Sequence, residues 1–217
     1  RWLKNYFGQR YHKDVDYVPS GVNLGIYRKP KEILKLDLEK EKYLLFLARL
    51  VPEKGCHYLI RAFEQIETPF KLVIAGGSSH SDEYGRLLKK SKKKNIIFTG
   101  WVIGRLAEEL FSNAYLYILP SEIEGLPHSL LQALSYGRCV VTSDIPPNLE
   151  ALGNCGYTFK SKSPEDLKNR LEYLLGHPQL VAEEEKKAKE RVRLNYSWDK
   201  VVDDIEHIYH ECLNDQK

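Results

Sequence analysis

The sequence predicts an α/β protein with a doubly wound parallel sheet and extra helices at its C-terminal end. Six short runs rich in β-forming residues alternate with segments whose apolar residues recur at helical spacing. Most of these runs are continuously apolar, which is typical of parallel strands that helices cover on both faces. The runs are "YLLFLA" (43–48), "KLVIAG" (71–76), "NIIFTG" (95–100), "AYLYILP" (114–120), "CVVTS" (139–143) and "CGYTF" (155–159).

The first 42 residues do not share this alternation. The stretch "YVPSGVNLGIYRKPK" (17–31) is rich in Pro and Gly, and a charged segment follows it. We interpret residues 1–42 as an interdomain connector and entry segment, and residues 43–176 as one α/β domain. The sequence contains no methionine, even at position 1, which indicates that Arg1 is an internal residue of a longer chain or a processed end, and we expect the sequence to be a fragment.

Helix signals dominate after the sixth strand. Ser163 is a predicted N-cap, Pro164 occupies the first helical position, and Gly176 ends the helix. We expect residues 177–217 to form two further helices, broken near "NYS" (195–197), that pack on the domain.

Composition excludes several classes of protein. A chain of 217 residues can bury a core without a disulfide or a metal, and a net charge of +3 is too small to indicate a nucleic-acid partner. The four cysteines lie far apart, without a CxxC pair or a histidine at metal-ligand spacing, so we expect no metal site and a reduced, cytoplasmic compartment.

The sequence indicates at most peripheral contact with a membrane. Its longest apolar run, "YLLFLARLV" (43–51), has about half the length that spans a bilayer. The basic run "KKSKKK" (89–94) is typical of a solvated helix end, and attraction to anionic lipid is the alternative.

The loop "SEIEGLP" (121–127) connects the fourth predicted strand to a helix, and ligands of doubly wound sheets bind at such strand ends. Glu122 and Glu124 precede the helix N-terminus, where a carboxylate can simply favour the helix dipole. That interpretation does not explain Gly125, which leaves the backbone N–H groups accessible, or Gln132, a polar residue in an apolar helix. A small ligand rich in hydroxyls and phosphates would use both.

The stretch "ARLVPEKG" (48–55) follows the first predicted strand. Arg49 and Lys54 flank a turn that contains Pro52, and such a turn can bring both cations to one point. Two cations beside a helix N-terminus can hold a diphosphate. The simpler alternative is a pair of solvated surface cations.

Two further strand ends are candidates for close contact with a ligand. Gly76 and Gly77 permit a tight turn after the second strand. After the third strand, the backbone of Trp101 and Val102 can meet a flat base, although Trp101 is equally explained as half-buried core.

Four motifs in a fixed order make the chain resemble the C-terminal, donor-binding half of a retaining glycosyltransferase of the GT-B fold, of the group 1 or family 4 type. The resemblance covers roughly residues 17–160, and that family includes mannosyl-, glucosyl- and N-acetylglucosaminyltransferases. It implies a Rossmann-like, nucleotide-sugar-binding domain at 43–176. The motifs are "VPSGVN" (18–23), "ARLVPEKG" (48–55), "IAGG" (74–77) with "FTGW" (98–101), and "PSEIEGLPHSLLQALSYGRCVVTSD" (120–144).

The resemblance implies a role for each matching residue. Arg49 and Lys54 would grip the donor diphosphate, and Glu124, the first glutamate of the family's E-x7-E motif, would contact the transferred sugar. Gln132 stands where the family has the second glutamate, which contacts the ribose, so a negative charge is missing there. Val102 would meet the base. The backbone of four residues would line the phosphates: Leu126, Pro127, His128 and Ser129.

The resemblance also implies partners. The donor would be a UDP-, GDP- or ADP-sugar, and no metal would be required. The acceptor, a glycan, lipid or small molecule, would bind an N-terminal domain absent from this sequence, so we expect this chain alone to bind donor yet transfer little. Two alternatives stay open: a nucleotide-sugar epimerase of the same fold, and a non-catalytic nucleotide-sugar-binding module.

Overall fold

The structure is a computed structural model, which describes residues 2–77 and 83–214. The residues directly after Gly77, which belong to the predicted loop "IAGGSSH" (74–80), lie outside the described residues, as do both ends of the chain.

Within the described residues, six strands form one sheet in the order β3-β2-β1-β4-β5-β6, and every neighbouring pair is parallel. The predicted doubly wound parallel sheet is confirmed. The strands are β1 (Tyr43–Leu47), β2 (Lys71–Ala75), β3 (Ile96–Gly100), β4 (Leu116–Leu119), β5 (Cys139–Ser143) and β6 (Tyr157–Phe159).

Helices cover both faces of this sheet, as continuously apolar strands require. One core lies between the sheet and α4, α5, α6 and α8, and the other lies between the sheet and α2, α3 and α7. The helices are α1 (Trp2–Tyr11), α2 (Cys56–Glu64), α3 (Glu83–Leu88), α4 (Gly104–Asn113), α5 (His128–Ser135), α6 (Pro146–Leu152), α7 (Pro164–Leu175), α8 (Pro178–Asn195) and α9 (Trp198–Asn214). Short 3-10 helices span Ile33–Leu36 and Pro52–Lys54.

The helix signals near the C-terminal end are confirmed. The Ser163 hydroxyl accepts a hydrogen bond of 3.2 Å from the Asp166 N–H, and Gly176 follows the last residue of α7. Helices α8 and α9 are separated at Tyr196 and Ser197, within the predicted break.

Helix α1 lies inside the segment that we interpreted as a connector, and the sequence analysis did not predict it. None of its residues is buried. Trp2 stacks on Tyr6, and Phe7 stacks on Tyr11, so aromatic residues form two pairs at i, i+4 spacing. That spacing was the available sequence signal for a helix.

A buried carboxylate fixes the end of the entry segment. Glu109 accepts hydrogen bonds of 2.7 Å from the backbone N–H groups of Lys31 and Glu32, and its other oxygen pairs with Arg105 at 2.7 Å. Burial opposes the ionised form, but these hydrogen bonds outweigh it and hold the pKa of Glu109 below its usual value. The segment before β1 is therefore anchored to α4.

The order of the strands creates a crevice between β1 and β4. These strands are neighbours, but α2 after β1 and α5 after β4 pack on opposite faces of the sheet. The helices that follow the two loops leave toward opposite faces of the sheet, and ligands of doubly wound sheets bind at such strand ends. The crevice therefore lies between loops 48–55 and 120–127.

A search of the described residues finds no helix with the length and apolar character that crossing a bilayer requires. All four cysteines are free, and three of them are buried: Cys56, Cys139 and Cys155.

Candidate functional site

Backbone contacts join the loops after β1 and β4 into a unit that we call the switch-point junction (48–55 with 120–127). The Glu122 N–H donates to the Glu53 carbonyl at 2.8 Å. Gly55 has a φ of +68°, and a Cβ added there would lie 2.0 Å from the Pro120 carbonyl oxygen. Glycine is therefore required at this position both for its backbone conformation and for the close approach of the second loop.

The junction brings two predicted site residues into contact. Lys54 Nζ lies 2.7 Å from Glu124 Oε1, and their side chains are 17% and 6% exposed. Because most of the surrounding water is excluded, the charges interact more strongly than a surface pair does. A ligand that separates Lys54 from Glu124 must therefore supply a new hydrogen-bonding or charged partner to each of them.

Glu122 has different neighbours from Glu124. One carboxylate oxygen accepts a 2.8 Å hydrogen bond from the Tyr58 hydroxyl, and the other lies 2.7 Å from Lys162 Nζ. Hydrogen bonds from Lys162 and Tyr58 hold the pKa of Glu122 below its usual value. Glu122 therefore ties the loop to α2 and to the segment before α7, whereas Glu124 faces Lys54.

The first turn of α5 presents backbone N–H groups without a side-chain cap. Pro127 is the N-cap residue and makes no capping hydrogen bond, so the helix start at His128 favours a negative group. The Tyr117 hydroxyl lies 2.8 Å from the Ser129 hydroxyl and 3.2 Å from the Leu47 carbonyl. Burial raises the pKa of Tyr117. Its single hydroxyl hydrogen can be donated to only one of these two oxygens at a time.

Gly125 is exposed, and a Cβ added there would meet no atom within 4 Å. Packing therefore does not require glycine at 125, in contrast to Gly55. Gly125 and the half-buried Leu126 line a cavity of about 320 Å³, whose other wall includes Trp2 and Phe7 of α1.

The loops after β2 and β3 form a second unit, which we call the glycine–tryptophan platform (Gly76, Gly77, Gly100 and Trp101). The Gly76 N–H donates to the Gly100 carbonyl at 2.8 Å, and a Cβ added at Gly76 would lie 1.9 Å from the Ala48 oxygen. A Cβ at Gly77 would lie 2.3 Å from Trp101 Nε1, so the indole rests against this glycine. Trp101 is 62% exposed, and its interpretation as half-buried core is wrong.

A cavity of about 730 Å³ contains three predicted site residues: Val102, His128 and Gln132. Gln132 is exposed, while its helical neighbours Leu131 and Ala133 are buried. The cavity therefore exposes an amide on an otherwise apolar helix, as the sequence indicates.

Arg28 and Glu108 also line this cavity, and the sequence analysis missed both. Arg28 Nε lies 2.7 Å from Glu108 Oε2. The two residues are 80 positions apart. They belong to no local motif, so sequence inspection offered no signal for the pair.

Arg49 is exposed, and within the described part of the chain its side chain makes no ion pair or hydrogen bond. Its convergence with Lys54 on one ligand stays a prediction.

In residues 2–77 and 83–214, no group of three or more His, Cys, Asp or Glu side chains is arranged to hold a metal ion. Lys54 and the start of α5 bring positive charge to the junction, and Lys162 lies against Glu122.

Comparison with known proteins identifies a family. The family model for glycosyl transferases group 1 matches residues 29–193. An uncharacterised glycosyltransferase of Methanocaldococcus jannaschii is 28% identical over 179 residues, which cover 79% of this chain and 45% of that protein. The N,N'-diacetylbacillosaminyl-diphospho-undecaprenol alpha-1,3-N-acetylgalactosaminyltransferase of Campylobacter jejuni is 27% identical over 146 residues, which cover 64% of this chain and 37% of that enzyme. The chain thus spans about half the length of the curated relatives it matches, or less.

Solved structures confirm the predicted fold class. Sucrose-phosphate synthase from Thermosynechococcus elongatus superposes with a TM-score of 0.84 at 21% identity, covering 97% of this chain and 56% of that one. Anabaena HepE in complex with UDP and glucose gives a TM-score of 0.83 at 17% identity, covering 97% of this chain and 60% of that one. At such identities the likeness establishes the fold, which is that of GT-B glycosyltransferases.

Proposed function

This chain belongs to the group 1 glycosyl transferases, and from that premise we propose that it is the donor-binding domain of a retaining glycosyltransferase that uses a nucleoside-diphosphate sugar. The observation that carries the proposal is the contact between Lys54 and Glu124 in the crevice between β1 and β4. Lys54 can bind a phosphate and Glu124 can bind a sugar hydroxyl, so the junction can bind both parts of a sugar diphosphate.

Donor binding would exchange the partners of this ion pair. A diphosphate offers Lys54 more negative charge than Glu124 does, and the uncapped start of α5 at His128 can donate backbone hydrogen bonds to the same group. Glu124, released from Lys54, would accept hydrogen bonds from the hydroxyls of the transferred sugar. The backbone of 126–129 would then line the phosphates.

The same groups would assist the reaction. When the bond between sugar and diphosphate breaks, negative charge increases on the leaving phosphate oxygen. Lys54 and Arg49 would stabilise that charge because their own charges are already in place before the bond breaks. We propose front-face displacement with retention of configuration at the anomeric carbon.

The nucleoside would lie between the 730 Å³ cavity and the glycine–tryptophan platform. Gln132 can donate to and accept from the ribose hydroxyls through its amide, and it lines the same 730 Å³ cavity as Val102. The glycine–tryptophan platform, with its exposed indole, would offer the base a flat surface. Titration with UDP, GDP and ADP distinguishes uracil, guanine and adenine as the base.

The acceptor would come from outside this chain. Because the chain spans about half the length of its curated relatives, we propose that a further domain holds the acceptor, which is a glycan, a lipid or a small molecule. The chain alone should bind donor without appreciable transfer, and we propose a cytoplasmic location for it.

Calorimetric titration of the chain with UDP, GDP and ADP tests the proposal. We expect one nucleotide to bind clearly more tightly than the others, and Lys54→Met to weaken it by at least about tenfold because a charge-assisted contact is lost. Lys186→Met is the matched control, since Lys186 is an exposed lysine on α8, and it should bind like the parent chain. Failure of all three nucleotides and of their sugar conjugates to bind would overturn the proposal.

Full-length enzyme distinguishes the reaction types. Consumption of nucleotide sugar only when an acceptor is supplied supports transfer, and interconversion without acceptor supports an epimerase. Full activity after replacement of both Arg49 and Lys54 by alanine would favour a non-catalytic role for this domain, and an inverted product would refute retention.

A further inference from the structure

A dense group of cations covers the end of α3 and the segment after it. Residues 86–94, "RLLKKSKKK", contain six Lys or Arg and no acidic residue, in a chain whose formal net charge is +3. We call the exposed residues of this segment, five cations and one leucine, the α3 basic surface. They are Arg86, Leu87, Lys89, Lys90, Lys92 and Lys94.

One lysine of the run points inward and anchors the segment. Lys93 Nζ donates to the Phe63 carbonyl at 3.0 Å and also to the Ile66 carbonyl, and it lies 5.2 Å from the centre of the Phe63 ring. The Ser91 hydroxyl donates to Glu64 Oε1 at 2.6 Å. The segment is thereby attached to the end of α2, which holds its remaining lysines outward.

These outward lysines form no ion pair with a described residue, and the nearby carboxylates are Glu64 and Glu83, which line cavities shared with Lys90. Lys89, Lys90, Lys92 and Lys94 make no ion pair or hydrogen bond through their side chains with any described residue. Like charges this close in sequence repel one another, and an external polyanion relieves that repulsion.

An exposed leucine lies among the cations. Leu87 is 55% exposed, and together with Lys90 it lines two shallow cavities of about 670 and 250 Å³. The smaller cavity also contains His57, Arg61 and Glu64, and the larger one contains Glu83. An apolar side chain among mostly basic ones matches the boundary between lipid headgroups and acyl chains.

We propose that the α3 basic surface binds anionic phospholipid headgroups and seats this domain on a negatively charged membrane surface, with Leu87 entering the interfacial layer. The ring of Tyr84 beside it is half-buried, and its hydroxyl lies 2.7 Å from His57 Nδ1, so it offers no free stacking platform for a nucleic-acid base. Leu87 likewise fits lipid rather than a phosphate backbone.

The α3 basic surface lies next to the switch-point junction. Pro52, which precedes Lys54 in the same loop, lines the larger of the two cavities beside Leu87. Membrane attachment through the α3 basic surface would hold the crevice close to the bilayer, within reach of a lipid-linked acceptor. Membrane binding itself does not depend on the identity of the donor.

Vesicle co-sedimentation of the 217-residue chain tests the proposal. We expect binding to vesicles of equal parts phosphatidylglycerol and phosphatidylcholine, no binding to phosphatidylcholine alone, and loss of binding when salt is raised from about 0.1 M to about 1 M. The triple variant Lys90→Glu, Lys92→Glu, Lys94→Glu should bind at least about tenfold more weakly. Its matched control is Lys13→Glu, Lys29→Glu, Lys186→Glu, which changes the net charge equally at three other exposed lysines and should retain most of the binding.

Two further measurements keep the test decisive. Leu87→Ala should weaken binding a few-fold and leave the salt dependence unchanged, and thermal melts should show that every variant is folded. Absence of binding to the anionic vesicles, or equal loss in both triple variants, would overturn the proposal.

Tighter binding to single-stranded RNA than to the vesicles at the same salt would identify a nucleic-acid surface instead. Nucleotide titration of the same variants should be unchanged, which separates this proposal from the donor-binding one.

Discussion

The switch-point junction and the glycine–tryptophan platform lie at the same edge of one sheet, yet they are built from different interactions. The junction combines a close backbone approach at Gly55 with an ion pair of low exposure between Lys54 and Glu124. The platform has no charged side chain, and its contacts are those of Gly76 and Gly77 with a neighbouring backbone and an indole.

Under the proposed function, the two regions would recognise different parts of one ligand. Charged side chains of low exposure can bind phosphate and hydroxyl groups but need an opposite charge when the ligand is absent. Lys54 and Glu124 neutralise each other in this way. Backbone and aromatic surface need no such partner and suit a flat, neutral group. Substitutions in the two regions should therefore differ in size and in kind.

The largest effect should come from Gly55→Ala. The added Cβ would meet a backbone oxygen at 2.0 Å in a left-handed conformation, so we expect a loss of about 3 kcal/mol or more in the free energy of unfolding. Gly125→Ala is the matched control, because no atom lies within 4 Å of its added Cβ, and it should change stability by less than about 0.5 kcal/mol. Urea denaturation measures both, and equal stabilities would contradict the close approach of the two loops.

The ion pair should give the next largest effect. Lys54→Met and Glu124→Gln each leave a partner of low exposure without its counterpart, so each should reduce the free energy of unfolding by about 1–3 kcal/mol. The double variant should lose less than the sum, with a coupling of about 1 kcal/mol. Additive losses would show that the two side chains act independently in solution.

The platform should affect binding more than stability. Trp101 is largely exposed, so Trp101→Ala should change the free energy of unfolding by less than about 1 kcal/mol, while nucleotide affinity should fall by about tenfold if the base stacks on the indole. Quenching of tryptophan fluorescence by nucleotide should vanish in Trp101→Phe and persist in Trp2→Phe. Persistent quenching in the Trp101 variant would place the base elsewhere.

The smallest effect should be the pH dependence that Glu122 contributes. Its folded-state pKa is lowered from 4.5 by Lys162 and Tyr58, so its ionised form stabilises the fold above that value, and this contribution is lost as pH falls through the folded-state pKa. Glu122→Gln should therefore flatten the decline in stability between about pH 6 and about pH 3. Glu183→Gln, at an exposed position on α8, should leave that decline unchanged.

Local patterns determined most of the elements and several of the candidate positions. Runs rich in β-forming residues, most of them continuously apolar, predicted the six strands because parallel strands are covered on both faces. Ser163, Pro164 and Gly176 predicted α7 because capping depends on neighbouring residues alone. Helix α1 was missed because we gave the Pro- and Gly-rich stretch after it more weight than the aromatic spacing within it.

The sequence by itself determined the fold class, the order of the motifs and the chemical types at the strand ends, because these follow from hydrophobic periodicity and local turn chemistry. Only the tertiary structure decided that Glu124 pairs with Lys54 while Glu122 binds Tyr58 and Lys162. It alone showed that Trp101 is exposed and that Lys93 turns inward from a run of identical residues. These facts depend on which segments, tens of residues apart in the chain, the sheet places side by side, and no local pattern carries that information.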